Sequence, residues 1–120
     1  MFPDPARHSV KVCGITRPEQ AAEIFALGAD AVGINLWPKS KRHMPLLVAE
    51  TSLRDVAAKN ALVAVLVNPD DALLDAAISS GLFQALQLHG DETPHDVEHL
   101  MSRGVNVIKA LQVRDAASLP

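Results

Sequence analysis

Five β-branched runs alternate with helical segments, and in four of the five runs polar residues recur on one face only. Together these features predict an α/β protein whose parallel sheet is the wall of a (β/α)8 TIM barrel. The runs SVKVCG, DAVGINLW, ALVAVLVN, FQALQLHG and VNVIKALQV begin near residues 9, 30, 61, 83 and 105, about 24 residues apart. That spacing leaves room for one helical crossover between successive strands, as a parallel sheet requires.

In the first run Val10 and Val12 alternate with Lys11 and Cys13, and Gly14 follows. PEQAAEIFALG then reads as a helix, with Thr16 three residues before Glu19 as a capping pair and Gly28 at its end. In the second run Asn35 alternates with Ile34 and Leu36. The helix over LLVAETSLRDVAAK is expected to start less firmly, because Met44 stands before Pro45 where a capping side chain would serve. The third run is apolar on both faces. Asn68 with Asp71, Pro69 at the first helical position and Gly81 at the end frame PDDALLDAAISSG. Gln87 and His89 then alternate with Leu86 and Leu88, and Thr93, Pro94, Asp96 and Gly104 frame PHDVEHLMSRG. In the fifth run Lys109 alternates with Ile108 and Ala110. The expectation is five parallel strands and four helices in a single domain over residues 1–120.

A doubly wound five-stranded sheet is the rival architecture. Its strands are covered by helices on both faces and should be almost wholly apolar. Lys11, Cys13, Asn35, Gln87, His89 and Lys109 instead place polar groups along what reads as a barrel lumen. No covering helix follows the last run, where the chain ends in RDAASLP. Eight units of this size need roughly 190 residues. The 120 residues therefore read as the N-terminal five-eighths of a barrel, truncated at the C-terminus.

Composition narrows the function classes. A formal net charge of −3 gives no electrostatic footprint for nucleic acid, and 3% aromatic content leaves little for base stacking. One cysteine excludes an internal disulfide and fits a reducing compartment. MFPDPARHS lacks the apolar run of a signal peptide, and no apolar stretch approaches the ~20 residues that cross a bilayer. A cytoplasmic location, with no nucleic-acid or membrane partner, is expected. Oligomeric state is left open by the sequence.

Chemistry-bearing residues gather at strand ends. Cys13 closes the first strand just before Gly14 and a helix start, where helical N–H groups favour a thiolate; alone, a single cysteine is more often inert filler. KSKRH is by default a solvated basic run, with Lys39 and Lys41 as surface charge. His89 ends the fourth strand, where it serves equally as a ligand contact or an internal cap. His95 and His99 lie four apart on a helix but lack a third ligand, so no metal site is expected. Asp91 and Glu92 of HGDE read as favouring the next helix N-terminus. Neither a dinucleotide fingerprint nor a P-loop occurs, so no cofactor is expected.

The segments VKVCGITRPEQA, GADAVGINLWPKSKRH, AVLVN, LQLHGDE and VIKAL resemble, in order, signature segments of the phosphoribosylanthranilate isomerase family. The resemblance runs from about residue 9 to residue 114. It implies a (β/α)8 barrel performing the third step of tryptophan biosynthesis from chorismate. In that reaction N-(5-phosphoribosyl)anthranilate undergoes an Amadori rearrangement to 1-(2-carboxyphenylamino)-1-deoxyribulose 5-phosphate. The family's general base maps onto Cys13, and its contact to the anthranilate carboxylate maps onto Arg42. Its strand-end histidine maps onto His89. The general acid, an aspartate ending the sixth strand, and the phosphate loops after the seventh and eighth strands have no counterpart in these 120 residues. Ala64, Met44 and Asn35 depart from the family pattern at positions that bear on packing. A five-stranded binding or signalling module, or another phosphate-binding barrel enzyme such as an epimerase, are the competing functions.

Overall fold

The structure, a computed structural model, describes residues 10–109. Its five strands are β1 (Lys11–Cys13), β2 (Ala31–Asn35), β3 (Ala61–Leu66), β4 (Ala85–Leu88) and β5 (Val107–Lys109). They form one parallel sheet in the order β1-β2-β3-β4-β5. Strand order that never reverses is that of a barrel wall; a doubly wound sheet reverses at a switch point. Ser9 and residues 110–113, included in the first and last predicted runs, lie outside the described residues, as do the MFPDPARHS and RDAASLP segments.

Register shows how the two faces divide. Val32, Ile34 and Leu36 of the β2 segment join Leu62, Ala64, Leu66, Leu86 and Leu88 in the main core, all at most 2% exposed. The helices α1 (Pro18–Ala26), α2 (Leu46–Ser52), α3 (Arg54–Lys59), α4 (Asp71–Ser79) and α5 (Pro94–Ser102) cover this face. Opposite it, Ala31, Ala61, Val63 and Ala85 form a second cluster with Ile108 packed against it. This inner face also carries Cys13, which pairs with Gly33, and Gln87, which pairs with Val65 and Ile108. β3 is buried throughout, as its uninterrupted apolar run demands.

Lys109 departs from expectation. It pairs in register with Leu88, a residue of the helix-covered core, while Ile108 faces the lumen. The alternation of the fifth run was thus read in the opposite phase. The ammonium turns back along the strand end, donating to the Gly90 carbonyl at 2.5 Å and to Glu92 at 2.9 Å.

The fourfold helix count also changes. The segment between β2 and β3 is two short helices joined at Leu53, whose backbone (φ −113°, ψ 7°) leaves the helical region. Leu53 is fully buried, and Thr51 Oγ1 bonds back to the Leu47 and Val48 carbonyls, a contact that bends helices. As anticipated from Met44, no side chain caps the start of α2; Pro45 holds that position.

Two caps are displaced from where spacing puts them. At α1, Gln20 Oε1 accepts the Thr16 and Arg17 amides at 2.9 and 3.0 Å, so the third helical side chain caps the turn and Thr16 is not the N-cap. At α4, Asp70 caps the Leu73 amide at 2.8 Å, one residue beyond Pro69. Asn68 has another task, described below. Thr93 and Asp96 form the full reciprocal box at α5, with Pro94 at its first position. Gly28, Gly81 and Gly104 all adopt positive φ beyond helix ends, as predicted.

Candidate active site

Parallel strands deliver their C-terminal ends to one side of the sheet, so Cys13, Asn35, Val67 and His89 meet there. They line a cleft of about 360 Å³ together with Gly14, Trp37, Ser40, Arg42 and Val65. Cys13, Arg42 and His89 are therefore brought together, as the motif mapping requires.

The cysteine is exposed, at the last position of β1. Across from it stands Gly33, where a Cβ would lie 2.8 Å from the Cys13 Sγ. The thiol occupies the volume that a side chain on β2 would otherwise take.

Arg42 reaches the cleft through a tightly closed loop. Asn35 Oδ1 accepts the Trp37 amide at 2.9 Å, and the Trp37 carbonyl accepts the Ser40 amide at 3.0 Å. Ser40 Oγ then accepts the Arg42 amide at 3.1 Å, and the Asn35 carbonyl accepts the Met44 amide at 2.9 Å. The Arg42 side chain folds back onto Gly14, where an added Cβ would stand 2.5 Å from Cδ and 3.0 Å from a guanidinium nitrogen. Gly14 has φ +83°, which itself favours glycine. One residue thus turns the chain after the cysteine and leaves room for the arginine.

His89 contacts Gln87, two residues back on β4, with 2.6 Å between the amide nitrogen and the ring Nε2. Burial lowers its pKa from the ordinary 6.5, and the charges of Lys11 and Lys109 lower it further, against an opposing pull from Glu92. The imidazole is neutral at neutral pH.

Glu92 does not serve the next helix. Its carboxylate accepts the Asn68 amide at 2.7 Å, the Gly90 amide at 2.9 Å and Lys109 Nζ at 2.9 Å. Burial pushes the Glu92 pKa up, but the Lys109 and backbone donors outweigh it and hold the carboxyl below its ordinary range. Asn68, in the left-handed region at φ 42°, lays its side-chain oxygen over Gly90 and accepts the Asp91 amide at 2.8 Å. These contacts staple together the C-terminal ends of β3, β4 and β5.

Sequence reasoning passed over Gly33, Trp37 and the loop-closing role of Asn35. The signal for Asn35 was present, since a polar residue ending a strand two positions before a Trp-Pro turn is placed to accept an i+2 amide. Gly33 gave none beyond being a glycine inside a strand, which marks a close approach without saying to what. His95 and His99 lie exposed on α5, beside a larger hollow of about 460 Å³ between α4 and α5. Among the described residues no three metal-ligating side chains cluster. Thiol, guanidinium and imidazole converge instead on the strand-end cleft.

Comparison with known proteins identifies the family of the chain. The family model for N-(5'-phosphoribosyl)anthranilate (PRA) isomerase matches residues 10–119. An N-(5'-phosphoribosyl)anthranilate isomerase of Azorhizobium caulinodans is 44% identical over 111 residues, covering 92% of this chain and 49% of the relative. That of Rubrobacter xylanophilus is 43% identical over 111 residues, covering 92% and 53%. The crystal structure of phosphoribosyl anthranilate isomerase from Thermotoga maritima superposes with a TM-score of 0.85 at 35% identity, covering 93% of this chain and 54% of that one. A further isomerase structure, in complex with reduced 1-(o-carboxyphenylamino)-1-deoxyribulose 5-phosphate, superposes at 0.78 with 34% identity, covering 93% and 57%. The chain spans about half the length of the curated relatives it matches. With the sheet order, the strand-end cleft and the matched residues in agreement, the chain belongs to the N-(5'-phosphoribosyl)anthranilate isomerase family.

Proposed function

We propose that this chain supplies the proton-abstracting and carboxylate-binding side of an eight-stranded phosphoribosylanthranilate isomerase barrel. The observation that carries the reading is the convergence of Cys13 and Arg42 on one cleft, each seated against a glycine that its side chain could not otherwise approach. The substrate is a small phosphorylated sugar joined to anthranilate. Once its ribose ring has opened to the N-protonated imine, the Cys13 thiolate takes the C2 proton; the C–H pair becomes the C1–C2 double bond and the C=N pair returns to nitrogen, leaving a neutral enolamine. Tautomerisation then gives the aminoketose. The Arg42 guanidinium offers parallel N–H donors to the anthranilate carboxylate and fixes the ring end while the sugar end reacts. His89, neutral and at the same rim, is a substrate contact. The family's general acid and phosphate loops belong to strands six to eight, which the longer relatives carry. Residues 1–120 act as a single unit, the first five-eighths of that barrel, and the site of action is the cytoplasm.

The test joins this chain to the C-terminal half of the Azorhizobium caulinodans relative and asks whether the hybrid supports a tryptophan auxotroph lacking the isomerase. Growth is expected. Cys13→Ser in the hybrid should lower turnover by roughly 10²–10⁴-fold, the usual loss on weakening a general base. A folded hybrid whose Cys13→Ser form keeps full turnover would refute the assignment.

A further inference from the structure

Deep in the inner face of the sheet the side chains are apolar, Ala31, Ala61, Val63, Ala85 and Ile108, while polar side chains such as Lys11, Cys13, Asn35 and Gln87 share the same face. Gln87 sits on this face in register with Val65 and Ile108. Its amide meets His89 Nε2 at 2.6 Å, while its Oε1 is buried with no hydrogen-bond partner. A leucine would fill the space without leaving a polar atom unmade. The amide therefore has one contact to justify it, and that contact is to the imidazole.

We propose that Gln87 is a positioning residue that holds His89 in the Nδ1–H tautomer, leaving that proton for an oxygen acceptor on the bound substrate. Two arrangements of a neutral pair are possible, since an amide can donate through nitrogen or accept through oxygen. If the oxygen faced the ring, the whole NH2 group would take the buried position and orphan two donors. With the nitrogen facing the ring, a single under-satisfied oxygen remains, and buried proteins tolerate that more readily than orphaned N–H groups. Nε2 then accepts, so the ring proton lies on Nδ1, which has no partner among the described residues.

Burial first, and then the surrounding charges, favour the neutral ring. Lys11 of β1 and Lys109 of β5 both oppose protonation, Glu92 of the loop after β4 favours it, and Arg42 and Cys13 share the cleft. With its basic Nε2 lone pair taken up by the Gln87 amide, the neutral ring presents only the Nδ1–H donor to the cleft and leaves the substrate proton to the cysteine. The tautomer stands on the contact itself; only the identity of the acceptor rests on the isomerase reading.

Side-chain 15N spectra of histidine-labelled chain read the tautomer directly, with His89→Asn identifying the signal. In the parent, Nδ1 is expected to carry the proton and Nε2 to be bare. Gln87→Glu, which can only accept, should invert the tautomer and raise the pH at which His89 titrates. Gln87→Leu should release the ring to the Nε2–H form that free histidine prefers. A parent spectrum with Nε2 protonated, or an unchanged spectrum in both variants, overturns the proposal. In the hybrid barrel, Gln87→Leu should weaken binding of the reduced product analogue about tenfold, the worth of one hydrogen bond. Unchanged affinity beside a shifted tautomer would overturn the substrate half, while the isomerase reading is judged separately by Cys13→Ser.

Discussion

Adding a single methyl group at Gly33 tests the site more sharply than removing the cysteine does. The Cβ of Gly33→Ala would stand 2.8 Å from Cys13 Sγ, 3.3 Å from Val65 Cγ2 and 3.4 Å from Cys13 Cα. Non-bonded heavy atoms rest at about 3.5–4.0 Å, so the sulfur must retreat by about 1 Å while the other two contacts give only slightly. Cys13 is exposed and can swing away without moving the strand. Overpacking costs about 1–3 kcal/mol, and replacing glycine in an extended segment returns about 0.4–1 kcal/mol through the unfolded chain. The net loss, about 1–2 kcal/mol, leaves a fold of ordinary stability intact. A thiol misplaced by about 1 Å costs roughly 100-fold in rate. Steady-state kinetics of the hybrid barrel should show kcat down by that factor with KM unchanged, because Arg42 is untouched. Thermal melting should shift by only a few degrees. In the Gly33→Ala background, Cys13→Ser should then cost much less than it does alone, since both changes disable one group. Full turnover in Gly33→Ala, or strict additivity of the two substitutions, would refute the placement of the thiol.

Arg42→Ala should chiefly raise KM, since the carboxylate proposed as its partner would be present in substrate and product alike; losing about 1.5–3 kcal/mol corresponds to roughly 10- to 100-fold, read by product-analogue titration. Glu92 has its folded pKa depressed below the ordinary 4.5, so its stabilisation is full above that value and is lost as pH falls from it through the lower, folded pKa. Glu92→Gln should accordingly flatten the loss of stability below about pH 5, followed by chemical denaturation across pH. The 120-residue chain by itself leaves the outer edges of β1 and β5 without strand partners among the described residues, and such edges pair with other chains. Size-exclusion chromatography should therefore show an oligomer, and the chain alone should not rescue the auxotroph; growth on this chain without a second half would show that the site is complete in these strands.

Strand positions were legible because alternation is a direct imprint of a sheet with two unlike faces, and Val32, Ile34, Leu62, Leu86 and Leu88 fall where it puts them. The exception is informative. β5 has three residues, too few for alternation to declare its phase, and a lysine can reach a strand end from either face. Caps were read from spacing, but Gln20, Asp70 and Asn68 show that neighbouring polar side chains compete for the same amides, and that competition is settled in three dimensions. The candidate site was legible where a motif names a single side chain, as at Cys13, Arg42 and His89, which the structure brings onto one cleft. It was not legible where the contribution is an absence of atoms, as at Gly33, or a pairing across 23 residues, as between Asn68 and Asp91.

The unbroken order β1-β2-β3-β4-β5 has a consequence for biogenesis. Each strand emerging from the ribosome meets a partner made only one helical crossover earlier, so every pairing closes a short loop and little chain entropy is spent at once. Contacts of that kind form quickly and need nothing yet to be synthesised. The growing edge simply moves along the nascent chain, from β2 to β3 to β4 to β5, with each newly exposed rim capped by the next arrival. Among the described strands, the rim left open from the start of this progression is the far side of β1, the strand that carries the cysteine. The thiol is therefore borne by the earliest of the described strands, and in a closing barrel that strand would be the last to be sealed.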